Sequence, residues 1–328
     1  MEDQHIELLV RVASFYYEDN YKQDEIATRI GYSRSMVSRL LNEAREKGVV
    51  DVQINYPMSR CNDLEEALQK ALNLRMVRVM ARGTLGNSQM LRKLGAMSAR
   101  LVDELIGEGA RNIGISWGTA LWETVSAMRK ANYPDTRIFQ IIGSSGSVNP
   151  EIDGPNLARY LAEALGGQYF TIPAPLIVES PATREALRQD PAVARIMQAT
   201  VSLDLALVGI GSMDPESSSW IRSGHMDREN IRSLAMQGVV GDVCGIIFDR
   251  NGHLPGHPIQ NRVVGIGAED LKRIPLKLGI SAGGMKTLPI LGACRAGLVN
   301  CLITDEVAAQ GVLEFIQQDT KQHAALMG

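Results

Sequence analysis

The sequence predicts an α/β protein in two parts: a small N-terminal winged helix-turn-helix module, then a large Rossmann-like α/β domain with a mainly parallel sheet. Three observations carry this. Residues 22–47, KQDEIATRIGYSRSMVSRLLNEAREK, hold two short amphipathic helical patterns divided by Gly31 and Tyr32. From residue 76 onward short apolar runs alternate with helical patterns, the rhythm of strands joined by crossover helices. The 328 residues, 45% hydrophobic and 22% charged, are enough for one small and one large globular domain. The boundaries read 1–56 for the module, 57–75 for a connector helix and 76–328 for the α/β domain.

In the first part, a helix-turn-helix needs a small residue where its helices touch, a turn residue tolerant of unusual backbone angles, and apolar residues docking the second helix. Ala27, Gly31, Val37 and Leu40 meet those needs. Ile26, Ala27 and Ile30 face inward from the first helix, and Ser33 is placed to cap the second. Met36, Val37, Leu40, Leu41 and Ala44 follow helical spacing as the buried face. The opposite faces carry Arg34, Ser35, Ser38, Arg39 and Asn42. Arginine bonds guanine bidentately, and serine or asparagine reaches bases or phosphates, so this face suits a major groove. The candidate DNA-contacting set is Lys22, Gln23, Ser33, Arg34, Ser35, Ser38 and Arg39. The bland alternative is a helical hairpin with solvated arginines.

The flanking sequence favours the DNA reading. Gly48 ends the second helix, and 49–54 alternates apolar and polar residues as a strand of a wing. Upstream, Ile6, Leu9, Val10, Ala13 and Tyr17 form an amphipathic stripe expected to support both helices from behind. After Pro57, residues 63–74 carry Leu64, Ala67, Leu68, Ala71 and Leu72 on one helical stripe, which either packs on its own large domain or pairs with a second subunit.

Beyond it, strands are expected at 76–80, 112–116, 137–142, 205–210, 243–248, 263–266 and 299–304. Helices are expected at 88–106, 119–128, 155–165, 181–189, 229–237, 269–274, 285–296 and 306–318. Ligands of such sheets bind beyond the carboxyl ends of the strands. Four glycine-rich loops lie there: 114–119, 142–147, 209–213 and 279–287. The first enters a helix and offers backbone N–H groups and hydroxyls to an anion, and the last sets Lys286 beside a glycine turn. None has the spacing of a dinucleotide or nucleotide-triphosphate loop, so a small phosphorylated metabolite is expected in place of NAD or ATP.

A net charge of −3 excludes a general nucleic-acid coat and confines DNA affinity to a local patch. So few basic residues in one head imply that heads act in pairs, hence an oligomer. The N-terminus has no leader pattern and no run approaches a membrane span, so a cytoplasmic protein without a membrane partner is expected. Cys61, Cys244, Cys294 and Cys301 have no metal-ligand spacing and read as reduced structural thiols; no metal and no cofactor is expected. His225, His253 and His257 lie in turn-rich sequence without a carboxylate at fixed spacing and read as loop residues.

With QDEIATRIGYSRSMVSRLLNEAREKGVV, GISWGTAL, PAPLIVES, VGIGSM, VGDVCGIIFD and GISAGGMKTLPILGACRAGLVNCLITDEVAA in this order, the chain resembles the SorC/DeoR-type sugar-binding transcriptional regulators over nearly its full length. The resemblance implies an effector domain related in fold to ribose-5-phosphate isomerase and glucosamine-6-phosphate deaminase. It also implies operator DNA and a phosphorylated sugar or polyol effector as partners, and homodimers or homotetramers. The implied effector pocket uses Gly118, Thr119, Gln140, Gly143, Asn156, Asp242 and Lys286. Thr119 and the amides near Gly118 would hold phosphate, Lys286 would supply charge, and Asp242 would accept from sugar hydroxyls. Asp242 as a structural cap and Lys286 as a solvated lysine remain open. Some relatives capture a carbonyl effector through a lysine near 140–143; this chain has none there. The rival reading is an isomerase or deaminase with an appended helical head, which would need a positioned general base. A third is a sugar-phosphate-binding scaffold whose head meets an acidic protein.

Overall fold

The computed structural model describes residues 2–50, 59–146 and 149–327, and the chain forms two units, Met1–Pro57 and Met58–Gly328. In the first, α1 (Glu2–Tyr17), α2 (Gln23–Ile30) and α3 (Arg34–Glu46) share one core of Leu9, Val12, Ala13, Ile26, Ala27, Val37, Leu40, Leu41 and Ala44. Gly31 ends α2 at φ 75°, a left-handed conformation that only glycine adopts without cost. The N–H groups of Gly31 and Tyr32 both donate to Ala27 O, at 3.0 and 3.1 Å, and turn the chain sharply into α3. Ser33 Oγ accepts from the Met36 N–H at 3.2 Å and caps α3, while Glu25 accepts from the Lys22 N–H at 2.7 Å at the start of α2.

Some expectations for this unit are corrected. Met36 is exposed, because it sits one residue, about 100° of helical rotation, off the stripe that begins at Val37. On α1 the inward line passes through Leu9, Val12 and Ala13, which leaves Ile6 and Val10 42% and 49% exposed. Val49 and Val50 fold back onto α3, both donating to Ala44 O. The remainder of the expected wing strand, 51–54, lies outside the described residues.

The second unit runs α4 (Asn62–Leu72), β1 (Met76–Met80), α5 (Asn87–Gly107), β2 (Asn112–Ile115), α6 (Thr119–Ser126), β3 (Arg137–Gln140), α7 (Gly154–Leu165) and β4 (Gln168–Phe170). It continues with α8 (Pro181–Gln189), α9 (Pro191–Ala199), β5 (Leu205–Gly209), β6 (Gly211–Ser212), α10 (Ser219–Arg222), α11 (Arg228–Met236), β7 (Val239–Val243) and β8 (Ile246–Asp249). It closes with α12 (Ala268–Arg273), β9 (Leu276–Ile280), α13 (Thr287–Arg295), β10 (Cys301–Asp305) and α14 (Glu306–Met327). Seven strands form a parallel sheet in the order β1-β10-β9-β5-β2-β3-β4, and β6-β7-β8 form a small antiparallel one. Alternation along the strands divides the core. Leu205 and Leu207 face the layer of α5, α6 and α7, while Ala206 and Val208 face the other layer. Burial on both faces explains why these strands read as unbroken apolar runs.

α4 packs on β1 and α14 of its own unit, with Leu68 fully buried and Glu65 accepting from the Val79 N–H at 2.8 Å. The expected strand 243–248 is instead the hairpin of β7 and β8. Cys244 and Gly245 turn it, both at positive φ, 51° and 74°, which a continuous strand forbids. Residues 263–266 make only isolated bridges, Ile142 with Gly265 and Ile177 with Val263. β4 and β9 were not expected. In β9 a lysine interrupts the apolar run: Lys277 is buried, and its Nζ donates to Lys272 O and Ile274 O at 3.0 and 2.8 Å.

Candidate functional site

In the sheet, β2 leads to β3 on one side while β5 and β9 lie on the other, so the loops leaving β2 and β5 diverge and open a crevice at their carboxyl ends. A cavity of about 440 Å³ occupies this place in the second unit. Its wall is drawn from residues 116–121 after β2, 209–211 after β5, 280–286 after β9, Asp242 and Cys244 of the hairpin, the 216–222 segment, and Arg82 and Asn87 beyond β1. Three of the four glycine-rich loops read from the sequence therefore meet around one space.

Gly118, at φ 126°, turns the chain into α6, whose first turn carries no acidic residue. That leaves the positive end of the helix facing the cavity. The Gly118 N–H is already bonded to Ile152 O at 3.0 Å, so the amides and hydroxyl of the Thr119 turn are the donors that remain. Lys286 enters from the β9 loop, where Gly283 at φ 98° bends the backbone into a short 3-10 turn. Its Nζ donates to Ile210 O at 2.7 Å. Burial pushes this ammonium down to about 8, against the pull of Asp242.

Asp242 lies on the same side as Lys286, on β7 opposite Gly211, next to the Ile210 carbonyl that Lys286 bonds. Trp220 Nε1 donates to its Oδ1 at 2.9 Å and the Gly245 N–H to its Oδ2 at 3.2 Å. Burial raises its carboxyl above the usual range, and these two bonds and Lys286 only partly offset that. The carboxylate thus anchors both the buried Trp220 and the hairpin turn while lining the cavity. Gly211 is required beside it, since a Cβ there would fall 1.9 Å from Asp242 Oδ1. Cys244 also lines the cavity, and burial pushes its thiol up. Ser217 and Ser281 also line it, but their hydroxyl oxygens are closed off from solvent and face away from the open space.

Gly118, Thr119, Asp242 and Lys286 are brought together; Gln140, Gly143 and Asn156 do not line this cavity. Gln140 is fully buried, its side chain bridging the Ile172 N–H and Ile142 O at 2.9 and 2.7 Å. Gly143 is packed against the Pro175 carbonyl, where a Cβ would lie 2.4 Å away. Asn156 Nδ2 donates to Pro150 O at 2.8 Å. The remaining loop, 142–147, is likewise occupied, its Ser144 and Ser145 bonding the Asp153 carboxylate. Sequence reasoning missed Arg82, Asn87, Glu216 and Arg222, which line the cavity from segments with no glycine signature. His253 pairs with Asp249 at 3.1 Å, a carboxylate partner not anticipated, and His257 accepts from the Ile259 N–H; neither lines the cavity.

In the first unit, Ser33, Arg34, Ser35, Arg39 and Lys22 are exposed, and Gln23 and Ser38 are half-buried. Apart from Ser33, which caps α3, they lie on the sides of α2 and α3 turned away from the core. Arg34 stands 3.6 Å from Asp24 in an exposed pair, which costs little to break.

A three-helix unit of helix-turn-helix type followed by a parallel α/β domain with a polar cavity at its switch point is the arrangement of a ligand-responsive transcriptional regulator. The family model "Sugar-bind: Putative sugar-binding domain" matches residues 56–314. The chain is 31% identical over 310 residues to the transcriptional regulator LsrR of Klebsiella pneumoniae subsp. pneumoniae, covering 94% of this chain and 93% of that protein. It is 30% identical to the sorbitol operon regulator of Klebsiella pneumoniae, covering 94% and 98%. The crystal structure of full-length SorC from Klebsiella pneumoniae superposes with a TM-score of 0.71 at 29% identity, over 95% of this chain and 100% of that one. The chain belongs to the family of transcriptional regulators with this sugar-binding domain; the relatives it matches are named as regulators and not as enzymes.

Proposed function

We propose that the protein controls a carbohydrate-related operon from the cytoplasm. Operator binding through the N-terminal winged module is governed by a phosphorylated sugar, polyol or sugar-like signal held in the cavity. The observation that carries this is the convergence of Lys286, the α6 N-terminus and Asp242 on one space of about 440 Å³. Thr119 and the first turn of α6 take the phosphate, with Lys286 as counter-charge. Asp242 meets hydroxyls. Gln140, Gly143 and Asn156 support the wall from behind. Lys22, Gln23, Ser33, Arg34, Ser35, Ser38 and Arg39 meet DNA.

Effector binding changes how subunits of a homodimer or homotetramer pair, and with it the spacing of recognition helices. The shift extends only as far as the effector's affinities for the two arrangements differ. Paired heads then read a near-palindromic operator with half-sites about 10 base pairs, or a multiple, apart. The test is a thermal-shift screen of the purified protein against sugar and polyol phosphates, since ligand at about 100 times its Kd adds about 2.7 kcal/mol. A stabilising compound that is not turned over and alters operator binding in gel shift is the expected result. A compound that stabilises without altering DNA binding would refute the regulatory coupling.

A further inference from the structure

The cavity is not symmetric about the Lys286 site. Its wall also includes Arg82, two residues past the last residue of β1. In the strand order, β1 stands four positions from β2, and the helices that follow them, α5 and α6, pack side by side. Arg82 after β1 and Thr119 after β2 thus offer donors to the same cavity from two different strand ends.

Arg82 is built into this place. Its side chain is only 21% exposed, and Nη1 lies 3.4 Å from Oδ2 of Asp305, which is fully buried. The other Asp305 oxygen accepts from the Gly283 and Ala308 N–H groups at 2.9 and 3.1 Å. One carboxylate thus ties Arg82 to the glycine turn that presents Lys286. Arg82 Nη2 bonds the neutral Asn87 Oδ1 at 2.9 Å. A guanidinium has five N–H donors, so these two contacts leave donors in excess. Beside it, α5 begins with Asn87 under a glycine cap that offers no side chain, and its first turn carries no acidic residue. Of the acids on the wall, Glu216 is paired with Arg228 at 2.6 Å, and both oxygens of Asp242 are engaged, by Trp220 Nε1 and the Gly245 N–H.

We propose that the β1 end of the cavity is a second anion subsite, in which Arg82 and Asn87 take a second acidic group of the effector, a phosphate or a carboxylate, besides the one at α6. This rests on the sugar-phosphate reading above and narrows it to an effector with two separate acidic groups. Bidentate pairing with the guanidinium fork supplies both the affinity and the orientation.

The experiment is isothermal titration of the full-length protein with matched probes: ribose 5-phosphate against ribose 1,5-bisphosphate, and glucose 6-phosphate against glucose 1,6-bisphosphate and 6-phosphogluconate. In the series that binds, the member with two separate acidic groups is expected to bind at least about tenfold tighter, the scale of one charge-assisted contact, and the preferred probe tells phosphate from carboxylate. Arg82→Gln removes that preference and leaves the monophosphate within about twofold. Asn87→Asp sets a carboxylate beside the guanidinium at an exposed helix start, leaves the buried pair intact, and lowers the preference in the same direction even where Arg82→Gln does not fold. Equal affinity for one and two anions, or equal losses for both probe classes in the variants, overturns the subsite and leaves the sugar-phosphate reading standing. Silence of every probe, with silence of the wider thermal-shift panel, overturns both.

Discussion

Replacing Lys286 with methionine is expected to separate stability from function in opposite directions. The lysine sits at about 8 instead of its ordinary 10.5, which corresponds to roughly 3 kcal/mol against its charged form in the folded state. Methionine removes that burden and keeps most of the side-chain volume, but orphans the Ile210 carbonyl that Nζ now satisfies at 2.7 Å, at a cost of about 1–3 kcal/mol. The balance is a ligand-free domain that is as stable as wild type or more so, by about 0–2 kcal/mol, and each kcal/mol moves Tm by about 2–4 °C in a domain of this order of size. Effector binding loses a charged contact of about 1.5–3 kcal/mol, roughly tenfold to 100-fold in Kd. Differential scanning calorimetry without ligand and the sugar-phosphate thermal shift with it read the two effects on one sample. A Tm several degrees lower together with an unchanged ligand response would refute the assignment, since Lys286 would then be a structural tether and not a cost carried for binding.

What the sequence made legible follows from how local each signal is. The helix-turn-helix was readable because Gly31, Ser33 and the Val37–Leu40–Leu41–Ala44 stripe each act within a few residues, and the structure uses each in that way. The parallel strands were readable because burial on both faces leaves continuous apolar runs. Where a polar residue is buried by reaching carbonyls, as Lys277 does, the run is broken and β9 was invisible. The β7–β8 hairpin failed for a related reason: its turn is a Cys-Gly pair inside an apolar stretch, and the turn chemistry lies in positive φ values that composition does not print. At the cavity, glycine-rich loops were visible as motifs, and three of them converge. Arg82 and Arg222 were not, because one charged residue in a loop carries no linear pattern. Only the strand order brings the end of β1 to the same rim as β9 and β5.

The same structure fixes further expectations. Effector affinity should hold near pH 7 and fall as pH rises through about 8, where Lys286 loses its charge. For stability the sign is opposite: with the folded value lowered, the penalty is full below about 8 and is lifted between there and the ordinary 10.5, so this group's contribution rises with pH across that window. Titration calorimetry and chemical denaturation between those limits check both, and an affinity that rises with pH would reverse the role given to the ammonium. Arg39→Ala should weaken operator binding by about 1–3 kcal/mol and relax sequence preference without touching effector binding; retained affinity and specificity at every operator base in a gel-shift series would refute the face assignment. Gly211→Ala should disable the cavity from a position with no chemistry of its own. The added Cβ falls 1.9 Å from Asp242 Oδ1, so the carboxylate must move, and the buried Trp220 indole loses its 2.9 Å acceptor. Overpacking and an orphaned buried donor each cost about 1–3 kcal/mol, which predicts a lower Tm and a lost effector response while the separate N-terminal unit still binds DNA. Wild-type Tm and response in Gly211→Ala would mean that Asp242 has room to move, and that its contacts with Trp220 and the cavity are not what hold this wall in place.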